Sequence, residues 1–263
     1  MTQISEHNPL GLLGLDFIEF SGPDPQFFAQ EFKRLGFLDV GQMHGKNIHL
    51  FRQGNISLIV NSEPQTFAMD FARMHGPAIC ATGFQVEDAQ FAFYKAMERG
   101  ARPYEGNAHS RGSTLFPAIY GIGDSLIYFM DAKNQEQLYR ETLHVRDEEA
   151  HPVGMGLEAV DHLTYNIPEK EMQKWYDFYA KIFGFVDESN TMTSTVMRSP
   201  SGNFSIVINE PSATNSNILE YLKEFKGSGI QHVALISDKE SSIHNIGSFY
   251  FEIIKKGTKR WSK

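Results

Sequence analysis

An internal repeat is the feature that most constrains the fold of this chain of 263 residues. In the first half, a strand-like run is followed by a segment with helical spacing of apolar residues that ends at Gly36, and then by two apolar runs around a turn. The same order returns in the second half, where Phe185 follows Gly184 as Phe37 follows Gly36, at an offset of 148 residues. The repeat predicts that both halves fold in the same way.

Each half also contains a second strand-like run, over 79–86 and 230–236, at which a further unit begins. The chain thus divides into four βαβββ-like units, two in each half. The distance along the chain from the start of one unit to the start of the next exceeds the roughly 20 to 50 residues of solenoid repeats. This favours two domains of paired units. We expect an α+β fold with an N-terminal domain over 11–132, a linker over 133–158 and a C-terminal domain over 159–263.

The fourth unit is shorter than the other three. Only residues 237–248 separate the run that ends at Ile236 from the next apolar run, 249–254. A helix and two strands need roughly 40 residues or more, given rises of about 1.5 Å and 3.3 Å per residue. The sequence therefore predicts that the last module is incomplete.

Composition and charge exclude several function classes. The net charge is -8 and the basic cluster over 255–260 is short, whereas nucleic-acid binding needs clustered Lys and Arg. No apolar run reaches the roughly 18 residues of a membrane span, and the N-terminus lacks the pattern of a signal peptide. Cys80 is the only cysteine, which precludes an internal disulfide and fits a reducing compartment. We expect a cytoplasmic protein that binds neither nucleic acid nor membrane.

Two histidines and one glutamate in strand-like runs form a candidate metal site. His162 and His232 occupy the same place in two repeat-related runs, and Glu252 lies in the last run, where a carboxylate is disfavoured without a partner. A single histidine in an apolar strand is more often a hydrogen-bonded core residue, so the assignment depends on all three. Two imidazoles and one carboxylate leave open positions on a metal, as in non-haem Fe(II) oxygenases. In the N-terminal half, Phe17 stands at the place of His162 and Gly83 near that of His232, which predicts a structural N-terminal domain and a catalytic C-terminal one.

The chain resembles the 4-hydroxyphenylpyruvate dioxygenase family of the vicinal oxygen chelate superfamily. In the C-terminal half the resemblance is carried by the segments VDHLTYN, WYDFYAKIFGF, SPSG, INEP, ILEYL, GSGIQHVAL and FYFEIIKKG. In the N-terminal half the matching segments, which resemble bacterial members, are GLDFIEFSGPD, HGPAICATGFQVEDA and IYGIGDSLIYFMD. The resemblance extends from about Gly11 to Gly257, and the segment and helix that close the pocket in the family do not follow before Lys263. It implies the glyoxalase-dioxygenase fold, with the paired βαβββ modules expected above.

The resemblance also implies a reaction, a cofactor and site residues. It implies Fe(II)-dependent conversion of 4-hydroxyphenylpyruvate and O2 to homogentisate and CO2, in tyrosine and phenylalanine catabolism, by a homo-oligomer (dimer or tetramer). The residues that match the iron ligands are His162, His232 and Glu252, and those that match substrate-binding residues are Ser194, Asn209 and Gln231. Without the resemblance, Ser194 and Asn209 fit equally well as ordinary strand and turn residues. Strand alternation places Gln231 opposite to His232 unless a bulge turns it inward.

Three other functions stay open at the level of the sequence. An enzyme similar to hydroxymandelate synthase would use the same triad on the same substrate. A truncated, inactive paralogue that binds a ligand or a partner is favoured by the short fourth unit. A divalent-metal isomerase or lyase of the glyoxalase kind would share the fold, but it predicts a fourth protein ligand near the triad.

Overall fold

A computed structural model describes residues 4–106, 116–146, 151–212 and 216–258 of the chain. The strands form two mixed sheets of seven strands each, with helices packed against them, which confirms the expected α+β fold. No helix in these ranges is long and apolar enough to cross a membrane. The boundaries of the two domains and of the linker stay a prediction.

The N-terminal sheet is built from the first two units. Its strands are β1 (Leu12–Ser21), β2 (Leu38–Gln42), β3 (Ile48–Gln53), β4 (Ile56–Asn61), β5 (Ala78–Val86), β6 (Ala118–Tyr120) and β7 (Leu126–Met130). The helices of this half are α1 (Pro25–Arg34), α2 (Phe67–His75) and α3 (Ala89–Glu98), with a 3-10 turn at Ile122–Asp124. A fourth helix, α4 (Ala132–Glu136), continues as a π-helical segment over Gln137–Thr142 and leads into the second half.

The C-terminal sheet is built from the last two units. Its strands are β8 (Leu157–Asn166), β9 (Val186–Asn190), β10 (Ser194–Arg198), β11 (Ser205–Asn209), β12 (Gly229–Ser237), β13 (Ser242–Ile246) and β14 (Phe249–Lys255). The helices are α5 (Met172–Asp177), which continues as a π-helical segment over Phe178–Phe183, and α6 (Ser216–Phe225).

The two sheets have the same strand order. The order is β2-β3-β4-β1-β5-β7-β6 in the first and β9-β10-β11-β8-β12-β14-β13 in the second. In both sheets, the first long strand (β1 or β8) pairs in parallel with the second strand of the hairpin (β4 or β11). It pairs antiparallel with the strand that opens the next unit (β5 or β12). β8 therefore lies at the centre of its sheet between β11 and β12, and β14 follows on the far side of β12.

Local sequence signals explain where the repeated helices begin and end. The Asp24 side chain accepts a hydrogen bond from the backbone N–H of Gln26, and Pro25 occupies the first turn of α1, where its missing N–H costs nothing. The helical segment after α5 ends at Gly184, whose φ of 79° lies in the left-handed region. Glycine adopts that conformation without the steric cost of a Cβ, so the chain turns there into β9.

The two sheets share a hydrophobic core on the face away from the candidate site. Phe20 of β1 is fully buried and packs against Phe249 and Phe251 of β14, with ring centroids 5.3 Å and 6.1 Å apart. Burying one phenylalanine side chain contributes on the order of 1.5 to 3 kcal/mol. Because strand neighbours alternate between faces, Glu252 projects from the opposite face of β14. Core packing thus fixes the strand that carries the candidate carboxylate ligand.

The fourth unit is incomplete, as the sequence predicts. In this fully described stretch, β13 is the only element between β12 and β14, and no helix lies there. The corresponding part of the second unit contains helix α3 and strand β6. β13 forms the edge of the sheet, and its first four residues are exposed.

Candidate metal centre

Strand register brings His162, His232 and Glu252 together on one face of the C-terminal sheet. His162 of β8 lies opposite Ala234 of β12, and Ala234 lies opposite Glu252 of β14. His232 precedes Ala234 by two residues, so its side chain projects from the same face in the adjacent row. Three strands that are neighbours in the sheet therefore deliver the three side chains to one place.

The three donor atoms have the separations of ligands on one ion. His162 Nε2 is 3.2 Å from His232 Nε2, and Glu252 Oε2 is 3.5 Å from His232 Nε2 and 4.0 Å from His162 Nε2. Bonds of about 2.0 to 2.2 Å to a shared ion place neighbouring donors about 3 to 3.5 Å apart. Two nitrogen lone pairs and a carboxylate aimed at one point repel each other unless a cation or a proton lies between them. Within the described ranges, no other group of three or more such residues is placed to hold a metal ion, and no fourth residue joins this one.

Burial keeps both imidazoles neutral at pH 7. It lowers the pKa of His162 from 6.5 to about 4, and the Glu252 carboxylate opposes this shift. Burial also lowers the pKa of His232 from 6.5 to about 3, and the neighbouring His162 lowers it further. A neutral imidazole has the free lone pair that a metal ligand needs. The two histidines are therefore ready to bind a cation without first losing a proton.

Neighbouring side chains orient the two imidazole rings. Asp161 Oδ2 lies 2.7 Å from His162 Nδ1, so Nδ1–H donates to the carboxylate and Nε2 keeps its lone pair toward the centre. The Tyr250 ring stacks on the His232 imidazole, with centroids 4.7 Å apart and planes at 19°. The Thr164 hydroxyl lies 2.9 Å from His232 Nε2. These contacts hold both Nε2 atoms toward the point that the carboxylate faces.

The centre is enclosed on the histidine side and open on the glutamate side. The side chains of His162 and His232 are 4% and 12% exposed, whereas that of Glu252 is 39% exposed. Glu252 lies on β14, the strand next to the edge strand β13. Solvent and small molecules therefore reach the centre from the side of the incomplete fourth unit.

The structure pairs two of the three predicted substrate residues with each other. Ser194 of β10 lies opposite Asn209 of β11, and the Ser194 hydroxyl donates to Asn209 Oδ1 at 2.7 Å. Asn209 in turn lies opposite Asn166 of β8, which shares a face with His162 four residues earlier in the strand. The Ser194–Asn209 pair thus lines the same face of the sheet as the triad, two rows away. Its role in substrate binding stays a prediction.

Asn166 is a buried polar residue that the sequence analysis did not single out. It is 0% exposed, and neither atom of its side-chain amide has a hydrogen-bond partner among the described residues. The hydroxyl of Tyr221 is also buried and has no hydrogen-bond partner among the described residues. Buried polar groups without partners are uncommon and point to a missing ligand or water. Alternation along β8 from His162 through Thr164 to Asn166 was the signal that places Asn166 on the site face.

Strand alternation would place Gln231 on the face opposite to His232, but the strand has a β-bulge at Gln231. Ile230 lies opposite Tyr165 and His232 lies opposite Thr164, so Gln231 is an extra residue without a partner on β8. A bulge of this kind interrupts strict alternation and turns the extra side chain. Gln231 can therefore share the face of His232, which simple alternation forbids.

The N-terminal sheet repeats this backbone, including the bulge. Glu19 lies opposite Ala81 and the next residue of β1, Phe20, lies opposite Ile79, so Cys80 is the extra residue. Ala81 is therefore the counterpart of His232, because Thr164 and Glu19 occupy the same row of the two sheets. The sequence analysis placed Gly83 near that position. This was wrong by two residues, because connecting segments of unequal length change the offset between the halves along the chain.

No ligand set survives at the corresponding positions of the N-terminal sheet. Phe17 lies opposite Gly83 as His162 lies opposite Ala234, and Gly83 lies opposite Tyr128 of β7. Phe17 and Tyr128 fill the space with two rings whose centroids are 5.9 Å apart. A phenyl ring, a methyl group and a buried phenol thus replace the two imidazoles and the carboxylate.

Comparisons with known proteins show the family of the chain. The family model described as hydroxyphenylpyruvate dioxygenase, N-terminal, matches residues 6–144. The chain is 42% identical over 243 residues to the protein MelA of Shewanella colwelliana, covering 89% of this chain and 69% of that protein. It is 39% identical over 242 residues to a 4-hydroxyphenylpyruvate dioxygenase of Pseudomonas sp. (strain P.J. 874), covering 88% of this chain and 68% of that enzyme.

A solved structure extends the similarity to the fold. A fusion protein of a xylose isomerase-like TIM barrel with 4-hydroxyphenylpyruvate dioxygenase superposes with a TM-score of 0.73 at 28% identity, covering 87% of this chain and 37% of that chain. The chain belongs to the hydroxyphenylpyruvate dioxygenase family.

Proposed function

We propose that this protein is a non-haem Fe(II) dioxygenase that converts 4-hydroxyphenylpyruvate and O2 to homogentisate and CO2. The observation that carries the proposal is the convergence of His162, His232 and Glu252 on one sheet face, in a chain of this family. Two neutral imidazoles and one carboxylate are the ligand set of non-haem Fe(II) oxygenases. Fe(II) bound there would supply open coordination positions for a 2-oxo acid and O2, and the redox chemistry that O2 requires.

The charges around the triad suit an anionic 2-oxo acid. Glu252 is the one carboxylate among the three residues, so a divalent ion held by them keeps a net positive charge. That charge attracts the carboxylate of the substrate. Asp161, through the Nδ1–H of His162, holds that ring in place while the substrate binds. The open side at Glu252 gives the substrate its way in.

The other end of the site suits a neutral phenol. Asn166 and Asn209 lie in a row that is four residues along the strand from His162, roughly 13 Å at 3.3 Å per residue. An arylpyruvate and the side chains at its two ends together span this length. Val207 lies opposite Thr164 in the row between them and is 5% exposed, so it offers an apolar wall to the ring. The hydroxyl of Ser194 and the amides of Asn209 and Gln231 can exchange hydrogen bonds with a phenol.

The test combines iron content, oxygen uptake and product identity. Protein loaded anaerobically with Fe(II) is expected to bind stoichiometric iron, to consume O2 with 4-hydroxyphenylpyruvate, and to release homogentisate, identified by chromatography. His162→Ala is expected to lose both iron and O2 uptake. His244→Ala is the matched control, because His244 lies in the same sheet, exposed on β13, and contacts Ser242 rather than the triad. Asn209→Leu is expected to keep its iron and to raise KM roughly tenfold, since a polar contact to the substrate is lost.

Each contrary result has a definite meaning. Stoichiometric iron in His162→Ala would overturn the ligand assignment. Background O2 uptake by folded, iron-loaded protein would overturn the dioxygenase proposal in favour of a ligand-binding paralogue. Hydroxymandelate in place of homogentisate would assign the other reaction. We also expect a homo-oligomer, which light scattering measures directly.

A further inference from the structure

A second cavity lies apart from the metal centre, where the start of β1, the β3–β4 hairpin, the helical segment after β7 and the start of β8 meet. Its volume is about 710 Å³, within the roughly 300 to 1,000 Å³ of small-molecule sites. Leu13, Leu15 and Val160 contribute to its apolar wall, and Asp16 and Arg52 contribute opposite charges. No residue of the triad lines this cavity, so its contents are independent of the metal.

Asp16 has one carboxylate oxygen that lacks a partner. Its Oδ1 accepts hydrogen bonds from the Tyr139 hydroxyl at 2.9 Å and from Gln135 Nε2 at 3.1 Å. Its Oδ2 is buried and has no hydrogen-bond partner among the described residues. Burial raises the pKa of Asp16 from 3.8 to about 6, so the ionised form is costly where it stands. A cationic donor at Oδ2 would satisfy the atom and offset that cost.

Arg52 stands beside this carboxylate, on the same tyrosine. Its guanidinium lies over the Tyr139 ring, 4.1 Å from the centroid, and its Nε donates to Ser57 Oγ at 3.0 Å. The Tyr139 hydroxyl, at the other end of that ring, is the group that binds Asp16. One tyrosine thus holds an anion and a cation side by side on the cavity wall. A guanidinium is suited to bind a carboxylate.

We propose that this cavity binds a zwitterionic α-amino acid with an apolar side chain. Its ammonium group binds Asp16 Oδ2, its carboxylate binds Arg52, and its side chain packs on Leu13, Leu15 and Val160. A 2-oxo acid is excluded, because its keto oxygen is an acceptor and leaves Asp16 Oδ2 unpaired. The two sites therefore select opposite members of an amino acid and 2-oxo acid pair. That pairing of the two sites rests on the proposed function of the metal centre, whereas the amino-acid site itself does not depend on it.

The test uses L-phenylalanine as the probe and isothermal titration calorimetry as the measurement. The wild type is expected to bind L-phenylalanine, and phenylpyruvate is expected not to displace it. Asp16→Asn is expected to weaken binding tenfold or more, because the charge that meets the ammonium is gone. Glu136→Gln is the matched control: Glu136 also lines the cavity, but its side chain is 61% exposed at the rim and pairs with Arg140. It is expected to bind like the wild type.

A second variant keeps the test decisive if Asp16→Asn fails to fold, as thermal unfolding would reveal. Ala132 lines the same cavity at an exposed position of α4, so Ala132→Trp obstructs the opening without changing the core. It is expected to abolish binding of L-phenylalanine while leaving the metal content unchanged. The proposal is overturned if the wild type binds no L-phenylalanine at millimolar concentration, if phenylpyruvate displaces it, or if a folded Asp16→Asn or Ala132→Trp binds as tightly as the wild type.

Discussion

Glu19→Gln is expected to make the protein more stable at neutral and alkaline pH. Glu19 lies within the N-terminal sheet, in the row that Thr164 occupies in the C-terminal sheet. Burial raises the pKa of its carboxyl group from 4.5 to about 7, although a hydrogen bond from Asn61 Nδ2 at 2.7 Å opposes the shift. Glutamine keeps the oxygen that accepts from Asn61 and removes the ionisable group.

The sign and the size of the expected change in stability follow from proton linkage. Between pH 4.5 and 7 the folded protein holds a proton on Glu19 that the unfolded chain has already released, so the free energy of unfolding falls as pH rises through this window. A shift of about 2.5 pKa units at 1.36 kcal/mol each gives a loss of about 3 kcal/mol, complete above pH 7. The glutamine variant does not undergo this loss. The stability difference between variant and wild type is therefore expected to grow by about 3 kcal/mol across the window and to stay level above it.

Urea denaturation followed by circular dichroism at a series of pH values measures this difference. Comparison at each pH removes contributions that both proteins share, including that of Asp16, whose pKa burial also raises. Glu105→Gln, at an exposed position of the same half, controls for the loss of one carboxylate. A stability difference for Glu19→Gln that stays constant from pH 4 to pH 8 would refute the reasoning, because a group with equal pKa values in both states contributes no slope.

Two further predictions concern the packing at the far end of the site. Gly229→Ala is expected to destabilise the protein by about 1 to 3 kcal/mol, because the new Cβ would lie 2.3 Å from Cε1 of Phe225 and 2.8 Å from the Tyr221 hydroxyl; an unchanged midpoint in urea would contradict this. Asn166→Leu is expected to stabilise the fold by about 1 kcal/mol or more, since it removes two buried polar atoms without partners. A loss of stability in Asn166→Leu would mean that a partner, such as a bound water, already holds the amide.

The sequence predicted the parts of the fold that depend on local order. Repeated helix signals, such as Gly36 and Gly184 after apolar segments, located the units because a left-handed residue ends a helix wherever it occurs. The short interval before Phe249 predicted the incomplete fourth unit, because the lengths of helices and strands follow from fixed rises per residue. The histidine and glutamate positions were also visible, since each interrupts an apolar strand.

The features that depend on register between strands were not available from the sequence. The bulge at Gln231 cannot be located by counting along one strand, because it is defined by two residues that face one on the neighbouring strand. For the same reason the sequence analysis placed Gly83, and not Ala81, near the position that corresponds to His232. Asn166 was missed because its burial without partners is a property of the packed sheet. Asp16 was missed because its neighbours Gln135 and Tyr139 lie more than a hundred residues away.

The bulge shared by the two sheets favours an origin of the chain by duplication of one half. Cys80 and Gln231 are extra residues at the same row of two sheets, although only the second sheet carries the candidate ligands. A bulge breaks hydrogen bonds between strands. One bulge that was present before a duplication therefore explains both sheets more simply than two bulges that arose independently at the same row. On that account the strand was irregular before the duplication, and the residues at the ligand positions diverged while the backbone stayed the same. The N-terminal sheet thus keeps the backbone of the metal-binding half, with Phe17, Ala81 and Tyr128 at the positions of the triad.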